Sequence, residues 1–278
     1  MPNTLTGAQA AAAIYAQVRE HTALLDAPPC LAAVSVGAQP DDRAYLHSIV
    51  LSAAGCGVTV RPVPLPADCA PETLTDTLRA LSTDGAVHGV LLLRPLPAAL
   101  RAQEMLDTLD ARKDVDGMTT ASLGALVTGA AGFAPCTAEA CMELLRAHGI
   151  DPAGRRVTVV GRSLVIGRPA ALLLTRADAT VTLCHRKTPD LAARCRDADI
   201  LLAAAGAPGL ITRDFVRPGQ IVLDAGATAL PDGTLRGDVA PDAAAIAVCT
   251  PVPGGIGSVT TALLLRHTVQ AAENLRHF

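Results

Sequence analysis

The chain has 278 residues, half of them hydrophobic and 18% charged, with a formal net charge of −3. That supplies core for one or two domains of roughly 100–200 residues each, and it excludes the clustered basic face that nucleic-acid binding needs. No apolar run approaches the ~20 residues that span a bilayer, and the start MPNTLTGAQ has no basic leader, so the expectation is a cytoplasmic protein with neither nucleic-acid nor membrane partners.

Cysteines stand at 30, 56, 69, 136, 141, 184, 195 and 249, and none forms a C-x-x-C pair. No metal site is expected from that spacing. In a reducing compartment these thiols read as small buried hydrophobes. Trp is absent, with two Tyr and three Phe, so the core must be aliphatic. A flat ligand that stacks on an aromatic ring therefore has few partners, and Tyr45 and Tyr15 stand out.

In chain order, apolar runs predict strands at Leu31–Val36, Val58–Val63, Val87–Leu93, Val157–Val160, Thr180–Leu183, Ile200–Ala204, Ile221–Leu223 and Ala245–Val248. Helical spacing predicts helices at Pro71–Leu81, Ala138–His148, Pro169–Ala177 and Val259–Leu275. Near-continuous apolar strands alternating with helices imply α/β architecture with parallel sheets. Thr137 suits an N-cap, Gly149 a helix C-terminus, and Asp151-Pro152-Ala153-Gly154 a turn, so a domain boundary is expected near 135–155. The division is drawn as residues 1–140, completed by a C-terminal helix at 259–278, and residues 141–258.

Val157–Val160 runs into Gly161-Arg162-Ser163-Leu164-Val165-Ile166-Gly167-Arg168-Pro169, a strand, a glycine-bounded loop and a helix start. Such a loop sets backbone N–H groups beside a phosphate. It is neither G-x-G-x-x-G, since Ser163 replaces the second glycine, nor a Walker A loop, and by itself it equally fits an ordinary βα turn. The next strand adds weight. Its tip carries His185-Arg186-Lys187 where a carboxylate would take the ribose hydroxyl of NAD, and basic groups there suit the 2′-phosphate of NADP. Arg162 in the loop joins them, since its planar fork binds phosphate oxygens in pairs. The alternative for this basic tip is a solvated turn.

Five blocks, in order, resemble the methylenetetrahydrofolate dehydrogenase/cyclohydrolase family. Gly161-Arg162-Ser163 with Gly167-x-Pro169 is similar to its G-R-S-x-x-V-G-x-P, and Lys113-Asp114-Val115-Asp116-Gly117 to its K-D-V-D-G. Pro95-Leu96-Pro97 matches the end of Q-L-P-L-P, Pro135-Cys136-Thr137 matches P-C-T, and Thr250–Gly257 matches T-P-V-P-G-G-V-G. The resemblance spans roughly residues 30–265. It implies two α/β domains flanking a folate cleft, the first catalytic and folate-binding, the second a Rossmann-like parallel sheet holding NADP. It also implies a tetrahydrofolate derivative as substrate, one-carbon oxidoreductase chemistry and a homodimer. On the matching positions it implies Gly161, Arg162, Ser163, Gly167 and Pro169 as cofactor residues, to which the basic tip adds His185, Arg186 and Lys187. Tyr45 and Asp116 become catalytic and substrate-binding residues, with Pro253, Gly254 and Gly255 also against substrate. Through the resemblance, Asp116 takes the pterin's amino edge, as an acceptor for two N–H donors. Tyr45 reads as a stacking surface for the pterin, or as an ordinary half-buried Tyr. Lys113 and Asp114 are expected to be surface ions.

The chain also departs from the family. A Lys four residues after the Tyr, on the same helical face, is Ile49, and the Gln before L-P-L-P is Leu93. A Ser three residues before the Tyr is Asp42, read either as a carboxylate against the substrate or as an N-cap. Pro-Met after the final glycine is Ser258-Val259, and D-x-G-I-N is Asp224-Ala225-Gly226-Ala227-Thr228. Hydrolysis of a methenyl cation needs a positioned group for proton transfer, which contributes ~10²–10⁴-fold, and Ile49 can neither donate nor accept. Hydride transfer needs mainly alignment. The expectation is an NADP-dependent 5,10-methylenetetrahydrofolate dehydrogenase with cyclohydrolase activity lost or weak. The alternatives are the full bifunctional activity, a paralogue acting on another folate or small substrate, and a non-catalytic binder.

Overall fold

The computed structural model describes residues 4–37, 40–230 and 232–275. Its contacts divide into two units, Ala13–Cys136 with Thr261–Phe278, and Met1–Ala12 with Thr137–Thr260. The chain passes between them inside helix α1 (Ala8–Thr22), at the start of α6 (Cys136–Ala147) and inside α10 (Ile256–Leu275).

The first unit is a three-stranded parallel sheet. Its strands are β1 (Cys30–Val36), β2 (Thr59–Leu65) and β3 (Gly89–Leu92), in the order β2-β1-β3. The middle strand β1 is buried from Leu31 to Val36, as an apolar run between two neighbours must be. β2 carries Pro62 and Pro64, which lack an N–H to donate, and it lies at an edge. Around the sheet run α2 (Pro40–Ala54), α3 (Pro71–Thr83), the short α4 (Gln103–Leu106) and α5 (Thr120–Thr128). Pro71 opens α3 at a position that needs no N–H. Leu74, Leu78 and Leu81 then form its buried stripe.

Beyond β3 the chain adds one more parallel bridge, Val90 to Asp114. Here the sequence expectation of two surface ions is overturned, because Lys113 is 4% exposed and Asp114 2%. Lys113 Nζ donates to the carbonyls of Leu81 (3.1 Å) and Asp84 (2.8 Å), where α3 ends. A cation belongs there, since the last carbonyls of a helix have no partner within it. Asp114 Oδ2 accepts from Thr119 N (2.7 Å) and Ser122 Oγ (2.6 Å), tying the loop to the start of α5. Thr119 caps that helix, its hydroxyl accepting from Ser122 N at 3.1 Å. Each ion is buried against two hydrogen-bond partners.

The second unit holds β4 (Arg156–Val160), β5 (Thr180–Cys184), β6 (Ile200–Ala203), β7 (Ile221–Asp224) and, after a β8–β9 hairpin (Thr228–Ala229 and Leu235–Arg236), β10 (Val248–Cys249). Five of these form one parallel sheet, ordered β10-β7-β6-β4-β5, with α6, α7 (Gly167–Arg176), α8 (Leu191–Asp197) and α9 (Pro241–Ala244) in the same unit. β6 is wholly buried and centres a core that includes Val160, Leu201, Ile211 and Val222.

The strands and helices expected from the sequence are present with shifted ends, and two details differ. The strand expected at Ala245–Val248 is confined to Val248–Cys249, because α9 and the turn after it take up the alanines before it. Thr137 is not an N-cap, since α6 already begins at Cys136, directly after the buried Pro135. Gly149 does end that helix, at φ +65°.

Replacing Asp114 by Ala strands the Thr119 amide and the Ser122 hydroxyl. The expected loss is about 3 kcal/mol of folding stability, read from the urea midpoint at constant m-value.

Candidate functional site

In the second unit, strand order reverses between the parallel strands β4 and β6, whose connections run from the middle of the sheet to β5 on one side and β7 on the other. Open α/β sheets bind ligands at the carboxyl ends of the strands flanking such a point. The exits of β4 and β6 are also the closest backbone approach in the loop. Gly161 has φ +119°, and a Cβ built on it would lie 1.9 Å from the Ala204 carbonyl oxygen. A Cβ on Gly167 would lie 2.1 Å from the Gly161 carbonyl oxygen. Both loop glycines are thus demanded by contact, and the cradle is one that any side chain would fill. Ser163 Oγ accepts from Ile166 N (3.1 Å) and Gly167 N (3.5 Å), closing the loop onto α7. Pro169 is buried in the first turn of that helix.

Arg162, Arg186 and Lys187 are exposed and make no ion pair with a described residue. His185 is turned inward instead. Its Nδ1 lies 3.2 Å from Thr188 Oγ1 and 3.3 Å from Lys187 N, so it shapes the basic turn.

Behind the crevice lies a carboxylate that sequence reasoning missed. Asp238 is fully buried and accepts from three consecutive amides, Ala205 (2.6 Å), Gly206 (3.0 Å) and Ala207 (2.7 Å), which follow β6. Asp224, at the end of β7, accepts in turn from Gly226, Asp238 and Val239. Burial raises the Asp224 pKa, and those backbone N–H groups oppose the rise. The only sequence signal was two acidic residues beside glycines, which also describes an ordinary turn.

The Thr250–Gly257 block belongs to this second unit. Thr250 Oγ1 accepts from Asp224 N at 2.7 Å, and the Val252–Pro253 peptide is cis. Pro253 and Gly254 are exposed, and Gly255 is buried. The Gly254 carbonyl accepts from Gly7 N at 2.9 Å, and Leu5 N donates to Cys249 at 2.8 Å, so the N-terminal segment braces this loop.

In the first unit, the parallel bridge from Val90 to Asp114 puts Asp116 level with Leu92, at the carboxyl end of the sheet. Tyr45 stands on α2, which follows the same end of β1. Its ring is 39% exposed, yet its hydroxyl is hydrogen-bonded to the buried Thr261. That dry hydroxyl end raises the phenol pKa, with the Asp116 charge adding to burial. Asp42 is not an N-cap. It sits inside the first turn of α2, which begins at Pro40, one turn before Tyr45 and so on the same face.

Asp116 shares a small cavity with Arg94, Leu92, Leu106 and Met118. Burial pushes its carboxyl up to about 6, and the neighbouring Asp114 charge adds to this. Arg94, Cys136 and His267 oppose that rise. None of these three was singled out from the sequence. Arg94 stood just before the Pro95-Leu96-Pro97 match, Cys136 lay within the P-C-T match, and His267 lay among the other residues of an expected helix. Ile49 is 0% exposed and Leu93 6%, so both positions belong to the packed interior of this unit. Among the described residues no group of His, Cys, Asp and Glu has the arrangement of a metal site. No helix of theirs is long and apolar enough to cross a membrane.

A five-stranded parallel sheet with a glycine-bounded loop at its switch point defines a dinucleotide-binding α/β protein with a second α/β unit built on a three-stranded sheet. The sequence profile described as "Tetrahydrofolate dehydrogenase/cyclohydrolase, catalytic domain" matches residues 5–116, and that of the family's "NAD(P)-binding domain" matches residues 135–276. The chain belongs to the tetrahydrofolate dehydrogenase/cyclohydrolase family. It is 46% identical over 260 residues to the "Bifunctional protein FolD" of Chloroflexus aurantiacus, covering 92% of this chain and 90% of that one. Its fold is similar to the bifunctional FolD crystal structure from Campylobacter jejuni, at TM-score 0.93 and 36% identity, covering 98% of this chain and 99% of that one. It is equally similar to the Trypanosoma brucei methylenetetrahydrofolate dehydrogenase-cyclohydrolase complexed with NADP cofactor and inhibitor, at TM-score 0.92 and 34% identity, covering 99% and 98%.

Gly161→Ala would place its Cβ inside the Ala204 carbonyl at a backbone angle that side chains rarely adopt. The expected result is at least about a tenfold loss of NADP affinity, measured by titrating the nucleotide against the folded variant.

Proposed function

We propose that this chain is an NADP-linked 5,10-methylenetetrahydrofolate dehydrogenase whose cyclohydrolase limb is slowed. The observation that carries the reading is the crevice at Gly161 with its unpaired cationic rim. Arg162, Arg186 and Lys187 would hold the 2′-phosphate and the diphosphate, and Gly161, Ser163, Gly167 and Pro169 would shape the loop around them. The nucleotide, when bound, supplies the hydride acceptor. The protein's own work is to bind and orient. Asp116, when ionised, would accept from the pterin's N–H edge, and the exposed face of Tyr45 would stack on the ring. Pro253, Gly254 and Gly255 would contact the substrate. Asp42 would place a second negative charge near a cationic product.

The two halves of the chemistry rest on different support. Oxidation needs the bridging carbon aligned with its acceptor, and the lone pair of a ring nitrogen expels the hydride. Hydrolysis needs a proton carrier, and Ile49 and Leu93 offer none. The bifunctional name of relatives at 46% identity favours retention of both activities over outright loss of hydrolysis. The substitutions argue for a slower second step within that bifunctional reading. The NADP complex of the Trypanosoma brucei relative supports the choice of nucleotide.

Turnover with methylenetetrahydrofolate should yield NADPH while the methenyl product accumulates transiently and then decays faster than it does without enzyme. A methenyl species that never accumulates would show an unimpaired hydrolase. Decay at the spontaneous rate would show that hydrolysis is lost. Failure to reduce NADP, with NAD run in parallel, would remove the dehydrogenase reading altogether.

The family resemblance also supports a homodimer. β5 is an edge strand, paired only with β4 among the described residues, and Thr182 and Leu183 are exposed on it. An uncovered edge of this kind is a template for a second copy. Leu183→Lys should shift the chain from dimer to monomer by light scattering, with little effect on unfolding of the monomer.

A further inference from the structure

The peptide that carries Asp116 is gripped from two distant parts of the chain. The Val115 carbonyl oxygen lies 2.8 Å from His267 Nδ1 and 3.3 Å from Cys136 Sγ. A carbonyl only accepts, so Nδ1 carries a proton and the tautomer is fixed. His267 Nδ1 and Cys136 Sγ are themselves 3.6 Å apart. The same thiol is hydrogen-bonded to the Asp116 carboxylate. The Phe133 ring covers the imidazole, with centroids 4.9 Å apart and planes at 31°. Gly117 completes the grip. It has φ +64°, and a Cβ there would come within 2.5–2.7 Å of the backbone at Phe133, Ala134 and Pro135. His267 is 3% exposed. A buried titratable ring is costly unless its polar atoms are used, and Nδ1 is used on the Val115 carbonyl.

The charged and titratable groups facing Asp116 are Asp114, Arg94, Cys136, His267 and the Tyr45 phenol. Asp114 and burial favour the protonated acid. Arg94, Cys136 and His267 favour the carboxylate. Arg94 is exposed and its charge is shared with water, whereas His267 acts from the dry side.

We propose that His267 is a positioning residue which, through the Val115 carbonyl and the Cys136 thiol, holds the Asp116 carboxylate in place and ionised for capture of a substrate's paired N–H donors. The assignment deepens the folate reading above and rests on it. It gives the start of α6 and the middle of α10 a shared role in substrate affinity.

The test is His267→Asn, whose amide reaches the Val115 carbonyl as Nδ1 does but carries no charge. Turnover would be followed in the reducing direction, with methenyltetrahydrofolate and NADPH, across the range from about pH 5.5 to about pH 8. The folate KM should rise about threefold over wild type near about pH 6 and stay within about twofold near about pH 8, with the nucleotide KM unchanged throughout. Equal loss at every pH would mark a merely structural histidine and overturn the proposal. Cys136→Ala should move the same acid limb in the same direction, and an unmoved limb would likewise overturn it. A carboxyl-carbon NMR titration of Asp116 without folate separates this proposal from the functional reading. The Asp116 midpoint must rise in His267→Asn even if wild type turns over no folate, and an unchanged midpoint refutes the positioning role by itself.

Discussion

The nucleotide-binding half of this protein depends on two strand exits meeting closer than any side chain allows. β4 and β6 leave the sheet side by side, and the Gly161 backbone lies against the Ala204 carbonyl where a methyl group cannot fit. From that contact the rest follows. The loop must turn through a left-handed glycine, α7 must start where Gly167 meets Gly161, and Ser163 is then in place to cap the turn. The crevice is built from backbone, so it suits a diphosphate whose recognition is a matter of N–H groups and a helix start.

The other unit solves a different problem, that of keeping a carboxylate charged in a dry place. Asp116 sits beside a second carboxylate and is half enclosed. The K-D-V-D-G run answers with neighbours that are spoken for. Lys113 caps α3 and Asp114, though it also borders the cavity, is bonded to the start of α5, which leaves Asp116 to serve the cavity. Such a run could not be surface decoration, because the two ions before Val115 are structural. The aliphatic pair Ile49 and Leu93 belongs to the same economy: one turn beyond Tyr45, the helix commits its side chain to the core and not to the substrate.

Much of this was legible in the sequence. The fold class followed from apolar runs alternating with helical spacing, because buried parallel strands have no polar face to show. The glycine loop and the basic tip after β5 followed from residue types that do one job. The misread residues share a physical cause. Lys113 and Asp114 looked like surface ions because burial of a charge depends on the partners the fold brings to it, here Leu81 and Asp84, far back in sequence, and Thr119 and Ser122 across the next turn. Asp42 looked like a cap because Asp is favoured at that position, whereas Pro40 already opens the helix two residues earlier. His267, Arg94 and Asp238 were passed over for the same reason, as each acts on a segment well removed from it along the chain.

Asp238 carries a consequence of its own. Its two oxygens serve three successive amides from 205 to 207, while its own amide is held by Asp224. The bonds are made by main chain, so they restrict side chains chiefly where a glycine is required, as at Gly206 (φ +63°) and at Gly226, where a Cβ would lie 2.6 Å from Asp238. The number of residues is restricted throughout. One residue added or removed after β6, or between Gly226 and Asp238, would slide the amides out of step with the carboxylate, so the length of these loops is a heritable trait more stringent than their composition.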